Sequence, residues 1–134
     1  MKKLLLNIPW IRQLYFIAQS VTMGDLADRY TIECIKGIKI KDYPQSNILY
    51  IEQAYESKLE TINDTIYEAI EEWRYQLLQI NEYQWELEDR VRLQQDWKSC
   101  YAARVNNSER IRIKNEINKL YGDMLEIKEY QEKD

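Results

Sequence analysis

Histidine is missing altogether from this 134-residue chain. That absence removes the commonest general base, the usual nucleophilic triads and most transition-metal sites. Glycine is scarce: the three glycines stand alone at 24, 37 and 122, so there is no Gly-rich phosphate loop. The two cysteines, Cys34 and Cys100, are too few for a disulfide framework and lack metal-ligand spacing. They read as small core residues in a reducing cytoplasm. Long apolar runs are absent too. Met1 to Leu6 has the basic start of a signal peptide, but Asn7, Pro9, Arg12 and Gln13 interrupt it, and no later stretch approaches a membrane span. The expectation is a soluble, unexported cytoplasmic protein with no cofactor and no metal.

What is present points to helices. Hydrophobic residues make up 45% and charged residues 31%, in long Leu/Ile/Glu/Lys/Gln runs broken by only two prolines. This composition predicts one folded all-α domain over 1–134, a helical bundle with one long central helix or helical hairpin, completed by oligomerisation. The net charge of -4 is uneven: +3 over residues 1–50, -7 over 51–99 and zero over 100–134. An acidic middle argues against nucleic acid, whose backbone demands a cationic track. A local basic cluster remains from Arg104 to Lys119.

Three segments are expected: N-terminal helices and a loop over 1–45, a long seam helix or hairpin over 46–95, and C-terminal helices over 96–134. Pro9 suits a first helical turn, with Ile11, Leu14, Tyr15, Ala18 and Val21 on one apolar face. Thr22 and Asp25 form a capping box opening a second helix to about Lys36, which Gly37 ends, and Tyr43-Pro44 marks a loop. From Ile48 to Val91 apolar residues alternate at three- and four-residue spacing through Ile51, Tyr55, Leu59, Ile62, Ile66, Ile70, Leu77 and Leu87. Unbroken, that helix would run about 65 Å, too long for a compact monomer. Either it breaks near Thr61–Thr65, where Asn63 and Asp64 can cap, or another subunit covers it, and a dimer at least is the expectation. Breaks are also expected at Gln94–Asp96 and at Asn106–Ser108, with Gly122 closing the last helix.

The candidate binding residues are polar side chains that border the apolar seam. Asn81, Trp85, Glu88 and Arg92 share one stripe; Asn107, Arg110, Lys114, Asn118 and Tyr121 share another; Asp25, Asp28, Arg29 and Lys36 form a third beside Ile32 and Ile35. Each adjoins the apolar arc, so these groups are half-buried and need partners. If the stripes converge, arginine clamps phosphates, lysine supplies a point charge, aromatic faces stack a base and amides read its edges. The same residues also suit an interhelical network of salt bridges and hydrogen bonds that fixes helix register. Residue types leave both open. Of sixteen aromatics only Phe16 lacks a polar handle, which favours half-wet surfaces and ligand walls no more than it favours core margins.

Only carboxylate chemistry with Mg²⁺ stays available for catalysis. Glu68-x-x-Glu71 and Glu86-x-x-Asp89 resemble the acidic pattern of all-α nucleotide pyrophosphohydrolases, four residues deep. The simpler reading is a solvated acidic face, and the protein is not expected to be an enzyme.

The polar motifs are also similar to those of an uncharacterised family of small helical domains from bacteria and their phages. Gly24-Asp25-Leu26-Ala27-Asp28-Arg29-Tyr30-Thr31-Ile32 resembles its opening G-E-L-x-D-[KR]-x-T-I. Asn81-x-x-x-Trp85-x-x-Glu88-Asp89-x-x-Arg92 matches an N-x-x-x-W-x-x-E-D-x-x-R motif. Asn107-x-x-Arg110-x-x-x-Lys114-x-x-Ile117-Asn118 and a tail ending Lys128-x-Tyr130 complete the likeness, which covers about half the chain. The family carries no established activity. The resemblance implies that the margin residues form a shared motif, which suits a ligand site. The expected function is therefore a non-catalytic oligomeric protein that binds and sequesters a small anionic, nucleotide-derived ligand, in a phage setting an immune signalling nucleotide of the host. The alternative is a helical adaptor that holds a protein partner through its apolar seam. Neither nucleic acid nor membrane is an expected partner.

Overall fold

A computed structural model describes residues 20–127. The protein is all-α: helices α1 (Met23–Lys39), α2 (Gln45–Lys58), α3 (Asp64–Gln94) and α4 (Lys98–Tyr121) form a bundle with no strand among the described residues. The expected helix around Pro9 and the Lys128-Tyr130 tail motif lie outside the described residues, apart from Val21.

Local chemistry explains most of the helix ends. Thr22 Oγ1 accepts from the Asp25 amide at 3.2 Å, the N-cap read from the sequence. Asn63 caps α3 by accepting from the Ile66 amide at 2.9 Å. Gly122 takes φ 94° to close α4, a left-handed turn that glycine adopts without a Cβ clash. Two boundaries differ from expectation. Gly37 does not end α1, which continues to Lys39; a Cβ there would stand 2.6 Å from Ile48 Cδ1, so its smallness lets α2 approach instead. Asn106–Ser108 does not interrupt α4, because Asn106 turns inward and donates to the Ile80 carbonyl at 3.0 Å and to Gln84 Oε1 at 2.9 Å. Interhelical bonds hold the amide that would otherwise compete with its own backbone.

The long seam breaks between Leu59 and Asn63, the first of the two outcomes above. The fold-back turns one helix into α2 and α3, so Ile51, Tyr55, Leu59, Ile70 and Leu77 share one core with Met23, Leu26, Ile113 and Ile117. Full burial of such a side chain stabilises by about 1.5–3 kcal/mol. Since the seam is covered within the chain, it no longer supplies the reason for a second subunit. Helices α3 and α4 form an antiparallel hairpin, and α1 packs against both as well as against α2. At about 1.5 Å per residue, the 31 residues of α3 span roughly 46 Å against about 25 Å for α1. Cys34 and Cys100 are both free and half-buried, at the margin of the bundle and not in the core.

Candidate functional site

The three polar stripes do meet, on the faces that α1, α3 and α4 turn to one another. At the centre is Asp28, whose side chain is 2% exposed. Arg110 grips it with two bonds, Nε to Oδ1 at 2.9 Å and Nη2 to Oδ2 at 2.6 Å. Asn81 donates through Nδ2 to Asp28 Oδ1 at 2.9 Å and to Thr31 Oγ1 at 2.7 Å, and Thr31 donates on to the Asp28 carbonyl. Asn107 accepts from Arg110 Nη1 at 3.2 Å. The Asp28 hydrogen bonds hold the Arg110 guanidinium above its ordinary pKa despite burial, so the pair is a fixed ion pair.

A second cluster lies about 12 Å further along α4. Asn118 Oδ1 accepts from the Gly24 amide at 2.6 Å, satisfying one of the orphan donors at the start of α1. A Cβ on Gly24 would fall 2.2 Å from the Lys114 carbonyl oxygen, so this crossing requires glycine. Lys114 is buried between Glu126 at 2.6 Å and Asp25 at 3.4 Å. Tyr121 donates to the Lys58 carbonyl at 3.3 Å, under the Lys58 ammonium 5.3 Å from its ring centre. Here the polar groups satisfy one another, and Lys114, Asn118 and Tyr121 act as fasteners between α1, α2, α4 and the tail.

Between these clusters and the hairpin tip is an open cleft of about 200 Å³, lined by Ile32, Ile35, Asn81, Gln84, Trp85, Glu88 and Arg110. Four of the expected binding residues, Asn81, Trp85, Glu88 and Arg110, therefore share one cavity. Asn107 steadies Arg110 from behind. Arg29, Lys36 and Arg92 are on the surface, paired with Asp25, Glu33 and Asp89 within their own helices. Lys36 and Arg92 nonetheless flank the cleft in sequence: Lys36 follows Ile35, and Arg92 is one turn beyond Glu88. Three lining residues escaped the sequence reading in this role. Gln84 reads as a seam position, yet it donates to Glu88 at 2.9 Å, and Ile32 and Ile35 read only as an apolar border. Thr31, Lys58, Asp123 and Glu126 were likewise missed as network members, since nothing in their local spacing separates them from solvated polar residues.

The acidic pattern does not assemble. Glu68, Glu71, Glu86 and Asp89 all sit on the one helix α3, with about 27 Å between the pairs. Burial pushes the Glu71 carboxyl up, but hydrogen bonds from Arg74 and Tyr55 outweigh it and hold the net value below the usual range. Among the described residues no group of three or more Cys, Asp or Glu side chains is placed to hold a metal ion, and no helix is long and apolar enough to cross a membrane. No family model, curated protein or solved structure matches this chain.

Proposed function

We propose that this protein is a non-catalytic binder of a small nucleotide-type ligand, with the base in the Trp85 cleft and the phosphate at its rim. The observation that carries the reading is that cleft, an aromatic and aliphatic slot with both hydrogen-bonding senses at its polar side. Arg110 uses three of its five N–H groups on Asp28 and Asn107, which leaves two on a guanidinium fixed in place and 28% exposed. Glu88 supplies an anionic acceptor. A planar ring carrying N–H donors beside a carbonyl, as in guanine, complements that pair. Size limits what enters: pockets for drug-sized ligands run from about 300 Å³ upward, so 200 Å³ suits one ring system and leaves the phosphates outside.

The rim can receive them. Arg92 is held only by an exposed pair with Asp89, which contributes about 0–1 kcal/mol, and Lys36 only by a long 3.5 Å contact to the half-buried Glu33, so each has little to give up for a phosphate. Lys114 is excluded from this role by its own burial between the carboxylates of Asp25 and Glu126. In this reading Glu88 is an acceptor for the ring edge and takes no proton, so the result of binding is retention, which is sequestration.

Titration calorimetry against nucleosides and against linear and cyclic nucleotides tests this. Trp85→Ala should weaken the tightest ligand by roughly five- to a hundredfold, the range of one base–aromatic stack, with the melting temperature unchanged. Absence of heat from every compound at millimolar concentration ends the proposal. Arg110→Ala is not a clean probe, because the same side chain holds Asp28.

A second reading, an adaptor for a helical protein partner, is favoured by a different surface. Trp97, Tyr101 and Val105 form an outward stripe at the start of α4, with Leu93 beside them at the end of α3, and they are 69, 72, 48 and 71% exposed. Apolar anchors four residues apart are the pattern of helix-in-groove recognition.

A further inference from the structure

Exposed apolar side chains and unpaired cations gather at one end of the bundle. Helices α1 and α3 advance in the same direction: Asp28 meets Asn81, and seven residues further along each helix Ile35 and Glu88 line the same cleft. Lys39 ends α1 about 6 Å beyond Ile35, and Gln94 ends α3 about 9 Å beyond Glu88, so the last turn of α1 and the α3–α4 turn share that end. Ile38 and Ile40 are exposed there on one element, and Leu93, Trp97, Tyr101 and Val105 on the other. Among the described residues, Lys39, Lys41, Lys98 and Arg104 are the cations that form no ion pair, and all four belong to this end. Residues 38–42 and 90–105 together carry six cations against Asp42 and Asp96, a net +4 in a chain of -4.

The two properties interleave on α4. At about 100° per residue, Trp97, Tyr101 and Val105 cover an arc of about 80°, and Arg104 and Lys98 each fall about 20° outside its two edges. An apolar strip edged by cations, with Trp and Tyr in the strip, is the composition that suits a membrane–water interface. A groove on a helical protein partner would account for the α4 strip alone, whereas Ile38, 77% exposed, belongs to a different helix. Cations without fixed partners also suit diffuse negative charge, which makes no geometric demand on them. A second copy of this end would bring like charges together. The acidic α2–α3 fold-back does not oppose an anionic surface here: Glu72 is about 33 Å along α3 from Gln94, about four Debye lengths at physiological salt. Nearer the end, Glu33, Glu86 and Asp89 are each paired with a cation of their own helix.

We propose that this end of the bundle is a peripheral docking surface for an anionic lipid bilayer, with Leu93, Trp97 and Tyr101 in the interfacial layer and the four unpaired cations over the headgroups. Such a contact needs no spanning helix, and it does not rest on a ligand in the Trp85 cleft.

Flotation of the full chain with vesicles tests this. Phosphatidylcholine vesicles with about 30 mol % phosphatidylserine should carry the protein at least about tenfold better than phosphatidylcholine alone, and more weakly as salt rises. Lys98→Glu with Arg104→Glu, and separately Trp97→Ser with Tyr101→Ser, should each lower the partition at least about tenfold with the circular-dichroism signal unchanged. Tryptophan emission should shift to the blue on the anionic vesicles, and Trp97→Phe should remove that shift, which singles out the inserted residue among four tryptophans. Failure to float with the anionic vesicles overturns the proposal. Flotation unchanged in either double variant overturns it too, because the contact then lies elsewhere on the chain. Binding to oligouridylate or to an acidic amphipathic peptide in place of the vesicles gives the surface to nucleic acid or to a protein partner, and likewise overturns it.

Discussion

The base of the bundle and the tip of the α3–α4 hairpin reverse the usual distribution of polarity. At the base Asp28, Lys114 and Asn118 are buried, at 2, 6 and 1% exposure, while at the tip Trp97 and Tyr101 are 69 and 72% exposed. The difference shows that partners, not hydropathy, decide where a polar side chain can sit. The Asp28 carboxylate receives three hydrogen bonds, one from Asn81 and two from Arg110, whereas the Trp97 side chain stays largely in solvent.

The largest expected effect attacks the base. Arg110→Ala strands the buried Asp28 carboxylate and should destabilise by about 3–5 kcal/mol, lowering the melting temperature by roughly 10 °C or more. Thermal unfolding by circular dichroism measures it, and a loss under 1 kcal/mol would mean that the network merely decorates the bundle. Gly24→Ala should follow at about 1–3 kcal/mol, since α1 and α4 must separate to admit a methyl group against the Lys114 carbonyl. An unchanged melting temperature would show that this crossing is slack. The smallest effect belongs to the tip: Trp97→Ser with Tyr101→Ser should stay within roughly ±0.5 kcal/mol. A marked destabilisation there would erase the contrast, because it would show the stripe to be covered by the protein itself.

Helix content, the Thr22 cap, the Gly122 stop and the fold-back near Asn63 were legible because each has a local cause, a side-chain acceptor or a residue free to take positive φ. The three polar stripes were legible from period alone, and their convergence followed once α1 crossed α3 and α4. Two things were not. Gly37 and Asn106–Ser108 carry helix-ending chemistry that tertiary contacts override, Gly37 by admitting Ile48 and Asn106 by bonding Ile80 and Gln84. The division of the stripes into a closed network and an open cleft depends on which carboxylate each cation meets. Asp123 and Glu126 reach Met23 and Lys114 through a tail whose path no periodicity describes.

The bonds that close the base also join the most distant parts of the described chain: Asp28 to Arg110 spans 82 residues, Gly24 to Asn118 spans 94, and Met23 to Asp123 spans 100. The hairpins α1–α2 and α3–α4 need only short loops to form, so each can assemble before the two are joined. Closing the longer loop adds little, since each doubling of length costs about 0.6 kcal/mol, but the buried charges gain nothing until both halves are in register. Asp28 therefore works as a proofreading element of folding, tolerable to bury only when two separately made halves have met in the right alignment.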